Sequence, residues 1–509
     1  MKRLLSYYLV VLVCFGILSS CKKQNNSEFV YYLDSEPVTL DPQTVYDTNG
    51  EFMVLNLFEG LFSLTEEGEI VPAAAETYSY DQEALTYTFN LKEDLLWSDG
   101  RKLTANDFVF AFRRLLSPQT ESKSVEYFLC INNAEKVLKG ELPENELGVF
   151  AVTDNVLKIT LSYPDYDFLK SLTYPAAMPC NEEFFLSTKG KYGLEYDAVI
   201  TNGAFKITSW YHDKSAFLVK NENYYSANKA PQSINLIIDT EGKLSVSEFK
   251  EKNNILFKSG VMLKDFTDKN SIKQEVLDKY TGILFNSESE IFSDKRLREV
   301  LSASFNRESY KSILSENYEI DDSFIFSENL VYNSELAKNS LASLENEIKK
   351  EELNKTKIIS LKGSIDKELI SYAVQIWQKD LSLYFGITEL SEKDYYDALN
   401  NGNFDIAIVS YSGKQSKDVY ILNSFSSLSN FNYSRFKSAA FDEILSDYKS
   451  SFSENEAETY ISYSKEYLKN EYLFIPAYKS YSYIYKQKNV KNLYYNTEFS
   501  VHDFSIAEK

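Results

Sequence analysis

The sequence predicts an α/β protein of two or more domains that is exported from the cytoplasm. From about residue 28 onward, segments with the alternating pattern of β-strands are interspersed with segments of helical periodicity. The 509 residues exceed what a single hydrophobic core usually supports. A short basic and apolar leader precedes these segments, and such a leader is typical of exported proteins.

The composition is that of a globular protein with an acidic surface. Hydrophobic residues make up 44% and charged residues 25% of the chain, which excludes a disordered polyelectrolyte and a polytopic membrane protein. The chain has 54 Lys and Arg against 75 Asp and Glu, so its formal charge is −21. Such a charge repels phosphates, and nucleic acid is therefore not an expected partner.

Histidine is scarce, and this limits the chemistry that the chain can support. The sequence contains only His212 and His502. A metal site built from several histidines is therefore excluded, and neither residue has the surroundings of a catalytic triad. We expect both to be structural or surface residues, and we expect no metal and no other cofactor.

The leader predicts the compartment. Lys2 and Arg3 precede an apolar run from Leu4 to Leu18, which is shorter than the ~20 residues of a membrane-spanning helix. The run ends in Leu18-Ser-Ser-Cys21, which resembles a bacterial lipobox. The resemblance implies a signal peptide over 1–20, acylation of Cys21, for example by palmitate, and a polar tether over 21–28. The alternative is an ordinary signal peptide with an incidental cysteine.

Two cysteines are left for the folded part of the chain. Removal of the leader takes away Cys14, and acylation would occupy Cys21. Outside the cytoplasm, a disulfide between Cys130 and Cys180 is permitted. Sequence spacing does not decide between that bond and two separate buried thiols.

Periodicity predicts the strands and helices in chain order. Alternating or β-branched runs predict strands at 29–33, 86–91, 157–161, 205–210, 234–238 and 404–409. Phe52, Leu55 and Phe58 predict a helix that ends near Gly60. Helices are also expected after Thr104, with Asp107 completing a capping box, over 334–357, and over 395–402, where Gly402 ends the helix.

The run 404–409 indicates where a ligand would bind. A buried strand that alternates with helices is typical of parallel sheets. Ligands of such sheets bind in loops beyond the carboxyl ends of the strands. The loop that follows, Tyr411-Ser412-Gly413-Lys414, is therefore the first candidate for a pocket.

An ordered set of segments resembles one family. The chain is similar to the bacterial extracellular solute-binding proteins of family 5, which are the oligopeptide-, dipeptide- and nickel-binding receptors of ABC importers. The resemblance covers about 29–485. The segments that carry it are Pro37–Pro42, Leu57–Phe62, Ala74–Tyr78, Tyr87–Lys92, Trp97–Gly100, Thr104–Phe110, Leu147–Val149, Thr201–Lys206, Asn221–Tyr225, Phe292–Arg298 and Ser434–Asp442.

The resemblance implies a bilobal periplasmic-binding-protein-like fold of the class II type. Lobe I would be discontinuous and would carry a small inserted domain, while lobe II would be continuous. The lobes would close over a ligand by a hinge motion around two crossing segments. The implied boundaries are 28–62, 187–278 and 480–509 for lobe I, 63–186 for the inserted domain, and 279–479 for lobe II.

The resemblance also implies ligand contacts. Tyr32 and Leu33 would pair with the ligand backbone, unless they are core residues. Tyr127 lies in a region that reaches the cleft in relatives. Peptide-binding members carry a Trp-x-x-Asp-like stretch whose Asp binds the peptide ammonium, whereas this chain has 411–414 there. Lys414 would favour an anion instead, and Asp418 could substitute for the missing Asp.

The leading hypothesis is a monomeric, lipid-anchored receptor that is not an enzyme. It would lie at the extracytoplasmic face of the cell membrane, in the periplasm or at the cell surface. There it would capture an oligopeptide-like solute and deliver it to an ABC transporter permease. Nickel is disfavoured because the chain has two histidines. The alternatives are a receptor of the same fold for an anionic or oligosaccharide ligand, a secreted hydrolase, and a surface adhesin.

Overall fold

The computed structural model describes most of the chain beyond the leader. Its described residues are 28–33, 35–240, 255–259, 271–314, 318–320, 331–344, 347–348, 350–363, 366–412, 418–429, 431–496 and 501–508. The predicted signal peptide, Cys21 and most of the tether lie outside them. Among the described residues, no helix combines the length and the apolar composition needed to cross a bilayer.

The described residues form an alternation of strands and helices. The strands are β1 (Glu28–Leu33), β2 (Phe62–Leu64), β3 (Ile70–Pro72), β4 (Ala75–Asp81), β5 (Thr86–Leu91), β6 (Val149–Thr153), β7 (Val156–Thr160), β8 (Phe205–Tyr211), β9 (Ser215–Lys220), β10 (Ser233–Ile238), β11 (Ile255–Ser259), β12 (Ser271–Phe285), β13 (Tyr318–Ile320), β14 (Ile358–Leu361), β15 (Ile387–Leu390), β16 (Ile406–Ser412), β17 (Phe474–Gln487), β18 (Tyr494–Asn496) and β19 (Val501–Asp503). The α-helices are α1 (Thr48–Leu57), α2 (Ala105–Leu115), α3 (Ala134–Leu138), α4 (Phe168–Ser171), α5 (Glu182–Ser187), α6 (Lys295–Ser304), α7 (Arg307–Lys311), α8 (Ser334–Leu344), α9 (Lys350–Leu353), α10 (Asp366–Leu381), α11 (Glu392–Asn401), α12 (Asp418–Asn423), α13 (Ala439–Lys449) and α14 (Glu454–Lys469).

Two long strands, β12 and β17, lie side by side in the middle of the main sheet. The strand order is β15-β14-β16-β12-β17-β11-β1-β10-β9-β8, with β13 paired to β17. β12 and β17 are antiparallel partners from Ser271↔Gln487 to Leu284↔Phe474. One half of this ribbon pairs with β11, and the other half pairs with β16. The two strands therefore join the part of the sheet that contains β16 to the part that contains β11.

The register of this ribbon is interrupted twice. It shifts between Leu277 and Lys279, and again between Thr281 and Gly282. The second shift lies opposite Pro476, whose nitrogen carries no hydrogen for a ladder bond. Irregularities of this kind bend and twist a strand locally. The ribbon therefore deviates from regular pairing where it passes from one half of the sheet to the other.

The buried side chains form separate cores on either side of this passage. One cluster joins β1, β5, α2 and β10 to the carboxyl-terminal segment, and it includes Phe29, Phe89, Phe112 and Phe504. Two further clusters lie under the helices that pack on β12, β14 and β16. Along β17, Tyr478 belongs to the second group and Ile484 to the first. The described chain therefore packs as two bodies that share a ribbon.

The small sheet β4-β5-β7-β6 packs within the first body. The face predicted for β5 is buried, with Tyr87, Phe89 and Leu91 in the core. α2 covers this sheet and begins as predicted, since the backbone N–H of Thr104 donates to Asp107 Oδ2 over 2.7 Å. A helix that buries one apolar stripe on a sheet is the usual way to complete such a core.

The predicted helix near residue 52 is longer than the sequence pattern suggested. α1 begins after Asp47, which accepts a hydrogen bond from the backbone N–H of Gly50 over 2.8 Å. Its last residue is Leu57, and Phe58 caps it two residues before Gly60. A Cβ atom at Gly60 would lie 3.1 Å from the carbonyl oxygen of Leu172, so this glycine allows a close approach of two segments instead of terminating the helix.

Later predictions were confirmed in part. Gly402 ends α11 in the left-handed conformation, with φ of 69°. The region 334–357 contains two helices, α8 and α9, instead of one helical segment. The buried strand predicted at 404–409 is β16, but its surroundings are mixed. It pairs in parallel with β14 and antiparallel with β12, because β12 is one of the two crossing strands.

Both cysteines of the described chain are free thiols. Cys130 and Cys180 are buried at separate positions within the first body. The sulfur of Cys180 accepts a hydrogen bond from the Arg114 guanidinium over 3.4 Å. Of the two possibilities left open by the sequence, the structure therefore has separate buried thiols.

Candidate ligand-binding cleft

The carboxyl end of β1 presents a backbone edge. The ladder with β10 continues to Leu33↔Ile238. The ladder with β11 is present only at Val30↔Ile255 and Tyr31↔Leu256. Tyr32 and Leu33 therefore have no ladder partner on the β11 side among the described residues. The Leu33 side chain is buried in the core, so any contact of this residue with a ligand would involve its backbone.

The carboxyl end of β16 lies in the second body. The Tyr411 ring packs in the core against Phe474 and Phe425, with ring centroids 5.2 and 5.9 Å apart. Burial raises the pKa of Tyr411. The predicted ligand contact at Tyr411 is therefore restricted to its backbone. Ser412 continues the pairing with β12 opposite Lys279, whereas Gly413 and Lys414 lie outside the described residues.

Asp418 already has a partner. It is the first residue of α12, and its carboxylate forms an ion pair with the Lys465 ammonium of α14. Both side chains are a little over one-third exposed. Asp418 would have to exchange Lys465 for a ligand ammonium in order to take the role expected for it.

Tyr127 lies in a 3-10 turn, Val125–Phe128, in the first body. Its ring meets Tyr174 edge to face at 4.8 Å, and the side chain is half-buried. The neighbouring Glu126 was not singled out from the sequence. Burial raises the pKa of the Glu126 carboxyl, and Lys449 of the second body opposes that shift. This turn therefore faces the second body.

A second segment of the first body contacts the second body directly. Tyr448 Oη donates to Asp167 Oδ2 over 2.8 Å, and the backbone N–H of Tyr166 donates to the carbonyl oxygen of Lys449 over 2.7 Å. The rings of Tyr166 and Tyr448 meet edge to face at 5.9 Å. The partners lie about 280 residues apart in the chain, and no local pattern marks such a pairing.

Buried polar groups attach the small sheet to β1 and its neighbours. The Arg114 guanidinium forms two hydrogen bonds to Asp41, of 2.6 and 3.1 Å, and a third to Gln43 Oε1 of 2.6 Å. It also lies 3.9 Å from the centroid of the Phe185 ring. These contacts hold the small sheet and the β1 region together as one unit.

A carboxylate contributes to the same junction. Glu59 accepts hydrogen bonds from the hydroxyls of Tyr224 and Tyr225, the latter over 2.7 Å. Burial raises the pKa of Glu59, and the two hydroxyls and Lys92 oppose the shift. The Asn202 side chain accepts a hydrogen bond from the backbone N–H of Glu59 and donates one to the carbonyl oxygen of Glu59. Glu59 is therefore fully engaged inside the first body.

Neither histidine forms a reactive group. His212 is exposed and pairs with Glu36 over 2.8 Å and with Glu195 over 3.4 Å, and the bond to Glu36 raises the pKa of His212. His502 is buried among aromatic rings. Within the part of the chain that the structure describes, no group of three or more His, Cys, Asp and Glu side chains could hold a metal ion.

Known receptors resemble this chain over most of its length. The periplasmic oligopeptide-binding protein OppA of Salmonella typhimurium is 25% identical over 439 residues, which cover 81% of this chain and 80% of that protein. The periplasmic murein peptide-binding protein MppA of Escherichia coli is 26% identical over 444 residues, which cover 82% and 81%. The dipeptide-binding protein DppE of Bacillus subtilis is 28% identical over 312 residues, which cover 58% and 55%.

Solved structures share the fold. The unliganded open form of the murein tripeptide-binding protein MppA has a TM-score of 0.76 at 22% identity and covers 95% of this chain and 97% of its own. The complex of Haemophilus influenzae OppA with RPPGFSPFR has a TM-score of 0.73 at 19% identity and covers 95% and 99%. These likenesses confirm the predicted bilobal α/β fold of the class II type.

The relatives are solute-binding receptors and not enzymes, so the prediction that the chain is not an enzyme is confirmed. The secreted hydrolase is thereby excluded from the alternatives. A sequence model of the bacterial extracellular solute-binding proteins, family 5, middle region, matches residues 69–433. The match covers more than half of the 509 residues, and the chain belongs to this family of extracellular solute-binding proteins.

Proposed function

We propose that the protein is an extracytoplasmic receptor that binds oligopeptide-like solutes and delivers them to the permease of an ABC importer. Relatives that cover about four-fifths of the chain are named for oligopeptides and murein peptides. The observation that carries the peptide class is the end of the β1–β11 ladder at Tyr31, which leaves Tyr32 without a described ladder partner on that side. The Leu33 carbonyl already accepts a hydrogen bond from the Asp239 N–H on the β10 side. An edge of this kind binds extended peptides through main-chain hydrogen bonds, whatever their side chains.

The ligand would lie between two bodies that move about the ribbon of β12 and β17. The proposed lobe I comprises 28–62, 187–278 and 480–509, and it carries the inserted domain 63–186. The proposed lobe II comprises 279–479. The separate cores support this division, and so does the register shift between Leu277 and Lys279. Because lobe I and the inserted domain share a core, they would move together.

The proposed ligand contacts are of two kinds. The backbones of Tyr32, Leu33 and the stretch 411–414 would pair with the main chain of the ligand, and Tyr127 would contact it from the inserted domain. Lys414 and Asp418 would bind the charged ends of the ligand. The sequence and the family pattern support the inclusion of Ser412, Gly413 and Lys414. The position at the start of α12 supports the inclusion of Asp418.

The proposed anchor is a diacylated or triacylated Cys21 at the end of a signal peptide of 20 residues. The polar tether 21–28 would hold the monomeric receptor at the outer face of the membrane, beside its permease. The sequence Leu18-Ser-Ser-Cys21 supports this part of the proposal. Metabolic labelling with palmitate tests it, since Cys21→Ser should abolish the label and release the protein from the membrane fraction.

One observation favours a second candidate, a receptor of the same fold for an anionic solute. Asp418 is paired with Lys465, and Lys414 occupies the stretch where relatives carry their ammonium-binding Asp. An anion that binds Lys414 should lose affinity in Lys414→Asp. A peptide whose amino terminus lies there should gain affinity instead, so the sign of the change separates the two candidates.

The principal experiment is direct. The purified protein is denatured gently, and the released material is analysed by mass spectrometry. Peptides of varied sequence are expected, and a library of tri- to pentapeptides should raise the melting temperature, because a ligand that binds only the folded state stabilises it. Retention of no peptide together with no thermal shift from the library would overturn the peptide class.

A further inference from the structure

The inserted domain contacts lobe II through residues that are not among the proposed ligand contacts. The segment Pro164–Phe168 of the inserted domain meets the carboxyl end of α13, around Tyr448 and Lys449. We call this contact the 166/448 contact. It joins the two bodies away from the ribbon of β12 and β17, so a relative motion of the bodies has to break it.

The 166/448 contact combines three kinds of interaction. The hydrogen bond from Tyr448 Oη to the Asp167 carboxylate involves a charged acceptor, and such bonds are stronger than those between neutral groups. The Tyr166 N–H donates to the Lys449 carbonyl. The buried side chains of Val419, Tyr448 and Ala457 form a small cluster of their own, and the Tyr166 ring packs against it.

The charges around the contact also attract. The Lys449 ammonium interacts favourably with Asp165 and Glu126, both from the inserted domain. Neither carboxylate lies within 4 Å of the ammonium, so these are longer-range attractions and not close ion pairs. Two carboxylates of the inserted domain are therefore attracted to one cation of lobe II.

Residues of and around the contact are close in the chain to two of the proposed ligand contacts. Val419 is the second residue of α12, and α12 follows the stretch 411–414 in the chain. Glu126 precedes Tyr127, the inserted-domain residue proposed to touch the ligand. The contact therefore joins the two bodies through residues that neighbour proposed ligand contacts along the chain.

We propose that the 166/448 contact is a latch, by which the inserted domain holds lobe II in the closed arrangement. This inference rests on the proposed function only in that a ligand leaves through the opening that the latch controls. Part of the free energy of closure then comes from the protein, independent of the ligand's side chains. Ligand release requires the latch to open, so the latch slows the release of every ligand by the same factor.

The first test needs no ligand. Small-angle X-ray scattering compares the unliganded full chain with the Tyr448→Phe and Asp167→Ala double variant. The double variant should show a larger radius of gyration and a wider separation of the lobes than the wild type. Tyr163→Phe is the matched control, because Tyr163 directly precedes the segment and its hydroxyl has no hydrogen bond to a described residue. An unchanged scattering profile in the double variant, with an unchanged circular dichroism spectrum, would overturn the latch.

The second test measures release. Dissociation rates of three peptides of different sequence, drawn from the library that binds the wild type, should each rise about tenfold in Tyr448→Phe. A direct contact between Tyr448 and ligand would instead change the three rates by different factors, and that result would also overturn the latch. If no peptide binds the wild type, the peptide class fails, while the scattering experiment still decides on the latch.

A variant that folds poorly does not block the test. Lys449→Met leaves the Tyr448 hydroxyl and the backbone bond in place and removes only the cation that attracts Asp165 and Glu126. It should open the unliganded chain less than the double variant does, and its effect should shrink at high salt because salt screens attractions between charges that are not in close contact. A scattering profile of Lys449→Met that equals the wild type at every salt concentration would contradict the charge component of the latch.

Discussion

The carboxylate of Asp41 and the guanidinium of Arg114 face each other in a buried, two-bond ion pair, with distances of 2.6 and 3.1 Å. Asp41 belongs to the segment after β1, and Arg114 lies on α2, the helix that covers the small sheet. Both side chains are less than one-tenth exposed. The pair therefore joins α2 to the segment after β1 through a contact that is largely shielded from solvent.

Loss of one partner of this pair should be costly. Arg114→Met leaves the Asp41 carboxylate buried without its counter-ion, and we expect the free energy of unfolding to fall by about 3–5 kcal/mol. The loss also removes the hydrogen bond to Gln43 and the contact with Phe185. Chemical denaturation followed by circular dichroism measures the change.

Arg296→Met is the matched control for Arg114→Met. Arg296 binds Asp294 and Glu347 over 2.6 and 2.7 Å, which are equally short distances, but its side chain is half exposed. Exposed ion pairs contribute little to stability because water and salt screen them, so Arg296→Met should cost much less than Arg114→Met. Equal losses in the two variants would show that burial does not determine the strength of the Asp41–Arg114 pair.

The ribbon between the bodies should not tolerate a larger residue at Gly282. A Cβ atom there would lie 2.2 Å from the carbonyl oxygen of Ile475, and a backbone oxygen cannot move aside alone. We expect Gly282→Ala to destabilise the protein by about 1–3 kcal/mol, because overpacking forces strands apart. The melting temperature measures the loss.

Gly386→Ala controls for the chemical change itself. No atom lies within 4 Å of the Cβ position at Gly386, and its φ is not in the left-handed region. The substitution should leave the melting temperature within about 2 °C of the wild type or raise it slightly, because alanine restricts the unfolded chain. A Gly282→Ala protein as stable as Gly386→Ala would contradict the close approach of β12 and β17.

Local patterns were enough to predict many individual elements. The alternation of Tyr87, Phe89 and Leu91 gave β5 with its buried face, and the spacing of Thr104 and Asp107 gave the start of α2. Both predictions hold because the interactions lie within a few residues along the chain. Gly60 misled the prediction because its small size is required by Leu172, a neighbour only in space.

The candidate site was harder to predict, for the same physical reason. The sequence located the ends of β1 and β16, but it could not tell which side chains face the core. Leu33 and Tyr411 turned out to be buried, which leaves their backbones as the proposed contacts. Asp418 has a partner, Lys465, on another helix. Relations between distant segments follow from packing, which no short motif records.

The stability of the protein should depend on pH through Asp165. Burial raises the pKa of this carboxyl to about 6, although Lys449 opposes the shift. The unfolded value is near 3.9. The folded state therefore binds the proton more tightly, and the stabilisation from this group is full below about pH 4 and is lost as the pH rises through 6. Unfolding experiments at pH 5 and pH 8 should reveal this loss.

Asp165→Asn isolates the contribution. The amide oxygen can still accept the backbone hydrogen bond of Asp167 but carries no charge. The variant should gain roughly 1–3 kcal/mol relative to the wild type at pH 8 and about half as much at pH 5. Asp94→Asn, at an exposed position after β5, should change little at either pH. A difference between wild type and Asp165→Asn that is the same at both pH values would contradict the raised pKa.

Removal of Lys465 should reveal whether Asp418 binds an ammonium. Lys465→Met frees the Asp418 carboxylate from its ion pair. If the carboxylate then receives the amino terminus of a peptide, the affinity for peptides with a free amino terminus should rise about three- to tenfold relative to their acetylated forms.

Lys469→Met removes a similar surface pair, with Glu466, from the same helix and should leave that ratio unchanged. Titration calorimetry with matched free and acetylated peptides measures the ratio. The same ratio in wild type, Lys465→Met and Lys469→Met would exclude Asp418 from amine recognition and would leave Lys414 as the charged group that orients the ligand.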